Sequence, residues 1–128
     1  MGHRKILRHI FKFHGIWESF KFATRGIIYL FLYHRNMRII FMLGIAAVLA
    51  GFLFQLKTIE LVALSITIAL VFMAEIFNTA IEMLMNMLTV KYHIRIKLVK
   101  DIAAGVVLVT ALNAVAIGYI LFIRKMHF

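Results

Sequence analysis

Three long apolar segments constrain the fold of this 128-residue chain more than any other feature. They lie at about 39–56, at 59–80 with an extension toward 89, and at 102–123. A helix of about 20 residues crosses a hydrocarbon core of about 30 Å. Only a helix or a closed barrel satisfies its own backbone hydrogen bonds within lipid. The sequence therefore predicts an all-α membrane protein with three transmembrane helices.

The composition supports a chain that lives in a bilayer. The hydrophobic fraction is 64%, the mean hydropathy is +0.97, and the sequence has no cysteine and no proline. Without cysteine, disulfides and thiolate metal sites are excluded. The opening MGHRKILRHI carries charges where a signal peptide needs an apolar core, so we expect no removable targeting segment. With no linker or repeat in the sequence, residues 1–128 are predicted to form a single domain.

The basic residues predict the orientation of the chain. Lys and Arg number 15 against 5 Asp and Glu, and eight of the 15 precede residue 39, four lie in 91–100, one is Lys57 and two are near the C-terminus. Basic loops are retained on the cytoplasmic side, beside anionic headgroups. This distribution predicts a cytoplasmic N-terminus and 90–100 loop, and it favours a membrane over a nucleic-acid partner.

Residues 4–33 have the pattern of an amphipathic helix that lies on the membrane surface. Apolar residues recur at helical spacing, whereas basic residues fall on other positions, and two glycines are candidate breaks. The apolar positions are Ile6, Ile10, Phe13, Trp17 and Phe20, and the glycines are Gly15 and Gly26.

The three spanning segments predict a homo-oligomer. Small residues such as Gly44, Gly51 and Gly118 would let helices approach closely. One set of three thin helices could hardly shield the carboxylates of the second helix from lipid. We therefore expect several copies to assemble with their polar faces turned inward.

The second segment carries a polar stripe. Glu75, Asn78, Glu82 and Asn86 share one helical face, together with Thr79. Counted from Leu61 at about 1.5 Å per residue, Glu75 lies about 21 Å into the bilayer, and Glu82 about 10 Å further, near the headgroups. This spacing suggests one carboxylate as a base for a lipid hydroxyl and the other as a ligand for magnesium. Alternatively, Glu82 pairs with Lys91 or Lys100, and the amides only hold helices together.

Lys100 and Asp101 precede the third span. An Asp at this position is a good helix N-cap. With Lys97 and Lys100, it could equally belong to a site for phosphate oxygens and a divalent metal. The residues alone leave both readings open.

Two stretches resemble a known family. "AEIFNTAIEMLMN" followed by "KYHIRIKLVKDIAAGVVL" is similar to the signature of the small bacterial integral-membrane lipid kinases, the diacylglycerol kinase and undecaprenol kinase family. Those proteins have an E-x-x-N-[ST]-A-I-E stretch and then a K-D-x-x-[AS]-[AG] stretch that opens the last helix. "FKFATRG" and "RNMRI" extend the resemblance to roughly residues 18–123.

The resemblance implies a homotrimer in the bacterial inner or plasma membrane that transfers the γ-phosphoryl group of ATP, with Mg²⁺, to a lipid hydroxyl. Glu75 would be the base, with Asn78 beside it. Glu82 would bind metal, and Lys100 and Asp101 would contact or organise the nucleotide. The acceptor, diacylglycerol or a polyprenol, is left open.

Two positions depart from the family pattern. His34 stands where a carboxylate usually precedes the first span, and Asn86 stands where the family has Asp. His34 is thus either a metal ligand beside Glu82 or a headgroup-level residue, and Asn86 belongs to the nucleotide neighbourhood. A catalytically impaired scaffold is therefore an alternative function, and a small transporter is a third, since carboxylates in spanning helices also mark ion paths.

Overall fold

The computed structural model describes the backbone of residues 2–88 and 94–127, and the side chains of 15–88 and 94–126. All regular structure in these ranges is helical. The elements are α1 (Gly2–Tyr33), α2 (Arg35–Leu53), α3 (Thr58–Leu88), α4 (Ile94–Gly118), a π-helical segment (Tyr119–Ile123) and α5 (Arg124–His127). The prediction of three helices long and apolar enough to cross a membrane is confirmed, over Arg35–Leu53, Thr58–Leu88 and Ile94–Met126.

The first compact unit ends at Arg35 and consists essentially of α1. This helix runs without a break through Gly15 and Gly26, so the expected breaks are wrong. A glycine inside a helix costs only about 0.5–1 kcal/mol relative to alanine, too little to interrupt so long a helix. Trp17 and Phe20 are exposed and stacked, with ring centroids 6.3 Å apart. The side chains of Ile6, Ile10 and Phe13 lie outside the described residues, and the placement of α1 on a membrane surface stays a prediction.

The second unit begins at Asn36 and contains the three long apolar helices. The first of them was predicted to reach residue 56, but α2 ends at Leu53 because Gln55 adopts a left-handed conformation with φ 54°. The Leu56 N–H then donates to the Gly51 carbonyl at 3.1 Å and the Gln55 N–H to the Phe52 carbonyl at 3.2 Å. These two bonds form the Schellman closure that satisfies the last carbonyls of a helix.

Packing in this unit centres on α3, which lies mainly against α4. Leu56, Leu64 and Leu121 form a small buried cluster. Helix α2 approaches α3 at Gly44, where a Cβ would lie 3.2 Å from Ile68. Most large apolar side chains of the described residues remain exposed. A surface of this kind matches a chain surrounded by lipid tails or by further helices.

Candidate active site on helix α3

The polar stripe of α3 lies on one face, as the sequence predicted, because the helix is unbroken from Thr58 to Leu88. Glu75 and Thr79 are buried, at 7% and 4% exposure. Asn78 is half-buried, whereas Glu82 is exposed. The stripe thus runs from a sheltered carboxylate to an open one over two helical turns.

The amide of Asn78 contains an unusual oxygen. Its Oδ1 atom is buried and has no hydrogen-bond partner among the described residues. Leaving such a group unpaired costs about 1–3 kcal/mol, so it normally has a partner when the site is filled. Asn78 is three residues from Glu75 and four from Glu82, so this oxygen lies one turn from each carboxylate. A ligand that donates a hydrogen bond, or a hard cation, would satisfy it.

Neither Glu75 nor Glu82 forms an ion pair with a described residue. The alternative that Glu82 pairs with Lys100 is therefore wrong, and Lys91 lies outside the described residues. Both carboxylates of the stripe are left to interact with something other than the described side chains.

Lys100 bridges α4 to α3. Its Nζ donates to Oδ1 of Asn86 at 2.6 Å, which joins residues 14 apart in sequence. The partner is a neutral amide, so this bond positions the ammonium without cancelling its charge. Sequence reasoning placed both residues in one neighbourhood but did not predict their bond.

Asp101 does not cap a helix. Helix α4 begins at Ile94, so Asp101 lies within its second turn. Its carboxylate pairs with Lys97 at 3.0 Å, one turn earlier, and the two side chains are 57% and 58% exposed. The N-cap reading fails because apolar and basic residues at 94–100 continue the helical pattern toward the N-terminus, and an i, i+4 ion pair stabilises that extension.

The end of α3 and the start of α4 therefore carry charges of different availability. Lys97 and Asp101 compensate each other, while Lys100 is held by an uncharged partner. An anionic ligand arriving here would meet one positioned, uncompensated ammonium beside the exposed carboxylate of Glu82.

A metal would find hard oxygen donors on this stripe. Over the described ranges, no group of three or more His, Cys, Asp or Glu side chains comes together. Glu82 and the unpaired oxygen of Asn78, one turn apart, are of the type that Mg²⁺ prefers. They suit an ion that keeps several waters or phosphate oxygens as its other ligands. His34 lies in the first unit, and its role as a ligand stays a prediction.

Comparison with known proteins gives a consistent picture. The profile of the prokaryotic diacylglycerol kinase family matches residues 21–122. A diacylglycerol kinase of Synechocystis sp. (strain ATCC 27184 / PCC 6803 / Kazusa) is 41% identical over 102 residues, which cover 78% of this chain and 58% of that protein. An undecaprenol kinase of Bacillus subtilis (strain 168) is 36% identical over 124 residues, which cover 97% of this chain and 96% of that protein.

Proposed function

Because the chain belongs to the prokaryotic diacylglycerol kinase family, we propose that it transfers the γ-phosphoryl group of ATP to the hydroxyl of a membrane lipid alcohol at the cytoplasmic face. The acceptor is diacylglycerol or undecaprenol, the two substrates named by its relatives. The observation that carries the proposal is the graded stripe on α3, where a buried carboxylate and an unpaired amide oxygen precede an exposed carboxylate.

Glu75 is the proposed base. Its carboxylate accepts the proton of the lipid hydroxyl as that oxygen attacks the γ-phosphorus and the bond to the β–γ bridging oxygen breaks. Burial at 7% exposure keeps water, a competing acceptor, away from this position. The unpaired Oδ1 of Asn78, one turn away, accepts a hydrogen bond within the occupied site. Positioning of this kind supplies much of the rate in phosphoryl transfer.

Lys100 is the proposed phosphate contact. It lies at the end of α3 that carries Glu82, and Asn86 holds its ammonium at 2.6 Å without neutralising it. An ammonium so placed stabilises the charge that gathers on the transferring phosphoryl oxygens. Asp101 acts through Lys97, its partner at 3.0 Å, to organise the approach of the nucleotide.

Magnesium would be held by Glu82, with the Asn78 oxygen one turn away and His34 as a further candidate. When bound, it would neutralise the β- and γ-phosphate oxygens. We further propose a homotrimer of three-span subunits with a cytoplasmic N-terminus. The largely exposed apolar surface of the described helices supports assembly within a bilayer.

Replacement of Glu75 by Gln tests the base. The purified protein is incubated with labelled ATP, Mg²⁺ and a panel of lipid alcohols, which also identifies the acceptor. We expect Glu75→Gln to reduce kcat by about 10²–10⁴-fold, with an unchanged oligomer by light scattering. Glu18→Gln, at an exposed glutamate of α1, is the matched control and should retain full activity. Turnover by Glu75→Gln at the wild-type rate would remove Glu75 from the mechanism.

A regulatory scaffold without kinase activity is the second candidate. It is favoured by His34 and Asn86, two positions where the resemblance leads us to expect carboxylates. This function predicts no phosphorylated lipid from the wild-type chain with Mg²⁺, Mn²⁺ or Zn²⁺. Product formation with any of these ions would exclude it.

A further inference from the structure

A second polar cluster lies at the other end of the long helices. Glu60, in the first turn of α3, is 22 residues from Glu82, which corresponds to about 33 Å along the helix axis. This distance matches the thickness of a hydrocarbon core. The cluster therefore lies in the headgroup layer of the membrane surface opposite to Glu82. It takes no part in the proposed phosphoryl transfer.

The carboxylate of Glu60 is held firmly but only through one oxygen. Its Oε1 accepts from the backbone N–H of Lys57 at 3.0 Å, a bond that caps the start of α3. The same Oε1 accepts from Nζ of Lys125 at 2.9 Å, and these two side chains are only 21% and 33% exposed. Oε2 has no donor among the described residues, so it can accept a hydrogen bond from a ligand.

A cavity of about 390 Å³ adjoins this carboxylate, lined by Glu60, Ile120, Arg124 and Lys125. Two of these residues follow the π-helical segment, where the Arg124 N–H donates to the Tyr119 carbonyl. The segment is anchored, because Leu121 is buried and Phe122 packs on Phe54 with ring centroids 5.5 Å apart. Single π-helical turns occur often at functional sites. Here the turn fixes the guanidinium of Arg124 and the ammonium of Lys125 at the rim of the cavity.

We propose that this cavity binds the headgroup of an aminophospholipid. The primary ammonium of the headgroup donates to Oε2 of Glu60, and its phosphodiester accepts from the guanidinium of Arg124. A carboxylate and a guanidinium on one cavity suit a ligand with both charges, whereas a purely anionic headgroup would lie against Glu60. A quaternary ammonium carries no N–H and cannot donate to the carboxylate. At headgroup depth, phospholipids are the abundant molecules of this chemistry.

Native mass spectrometry of the detergent-solubilised protein tests the proposal. The probes are phosphatidylethanolamine, phosphatidylcholine and phosphatidylglycerol with identical acyl chains, and soluble phosphoethanolamine is the competitor. We expect phosphatidylethanolamine to bind about tenfold more tightly than either other lipid. We also expect phosphoethanolamine to compete with it.

Variants assign the binding to this cavity. Arg124→Gln removes the phosphodiester donor and should abolish the preference for phosphatidylethanolamine, while lipid phosphorylation stays at the wild-type level. Arg38→Gln, at an exposed arginine of α2, is the matched control and should leave the preference intact. Glu60→Gln should also abolish it, but this variant loses a helix cap as well, so Arg124→Gln decides.

Three results would overturn the proposal. They are equal binding of the three lipids, a preference that survives Arg124→Gln, and stronger binding of phosphatidylglycerol than of phosphatidylethanolamine. Because lipid retention is measured without ATP, each of these outcomes is independent of whether the chain is a kinase.

Discussion

Substitution of the two neighbouring lysines of α4 separates a positioned phosphate contact from a solvated ion pair. Lys100→Met removes an ammonium that is bonded to a neutral amide, whereas Lys97→Met removes one that is already compensated by Asp101. A hydrogen bond to a charged group contributes about 1.5–3 kcal/mol. Loss of the Lys100 contact should therefore raise the KM for ATP by about 10- to 150-fold.

The expected effect at Lys97 is much smaller. The Lys97–Asp101 pair is more than half exposed, with side chains at 57% and 58%. Exposed pairs contribute about 0.2–1 kcal/mol. Lys97→Met should therefore change the KM for ATP by no more than about fivefold. The variants differ by three positions on one helix and remove the same charge, so general electrostatics cannot explain a difference between them.

A double-mutant cycle tests the role of Asn86. The 2.6 Å bond to Lys100 predicts that Asn86→Ala misplaces the ammonium, at a cost of about 0.5–1.5 kcal/mol. The KM for ATP should then rise by about two- to twelvefold. In the Lys100→Met background the same substitution should have no effect, because residues that act through one contact are not additive.

The assay measures initial rates of labelled lipid formation with ATP varied at saturating lipid and Mg²⁺. Equal losses for Lys97→Met and Lys100→Met would refute the distinction between a compensated and a positioned lysine. Additive effects of Asn86→Ala and Lys100→Met would show that Asn86 does not act through Lys100.

Two further predictions concern metal and packing. Glu82→Gln should raise the Mg²⁺ concentration needed for half-maximal rate, and a titration to high Mg²⁺ should restore most of the activity if Glu82 is a metal ligand rather than the base. Gly51→Ala should destabilise the protein by about 1–3 kcal/mol in thermal denaturation, since a Cβ there would lie 3.3 Å from three leucine side chains. Gly105→Ala, where a Cβ meets nothing within 4 Å, should be neutral or stabilising, and equal melting temperatures for the two would contradict the packing argument.

The spans and the α3 stripe could be predicted because they depend on local rules. Hydropathy and length identify a spanning helix, and an unbroken helix places Glu75, Asn78 and Glu82 on one face whatever surrounds it. Helix ends were less predictable. The end of α2 depends on the left-handed conformation of Gln55, a residue without the usual glycine signal. The start of α4 lies before Asp101, although Asp is a frequent N-cap.

Contacts between helices could not be predicted from spacing alone. Glu82, Asn86 and a bound phosphate were all plausible partners for Lys100, and the rotation of α4 about its own axis selects Asn86. Lys125 and Glu60 are 65 residues apart, so only the packed helices bring them together. Charge counts indicated the membrane side of each residue but not its partner.

The two lysine bridges have a mechanical consequence for the proposed base. Lys125 ties α4 to Glu60 at one end of α3, and Lys100 ties it to Asn86 at the other. Apolar packing alone restrains sliding weakly, because one aliphatic contact replaces another, but sliding by one turn of about 5.4 Å would break both polar bridges. Glu75 lies between them, about 22 Å from Glu60 and about 16 Å from Asn86 along the axis. The depth at which its carboxylate meets a lipid hydroxyl is therefore set by polar contacts at the two membrane surfaces.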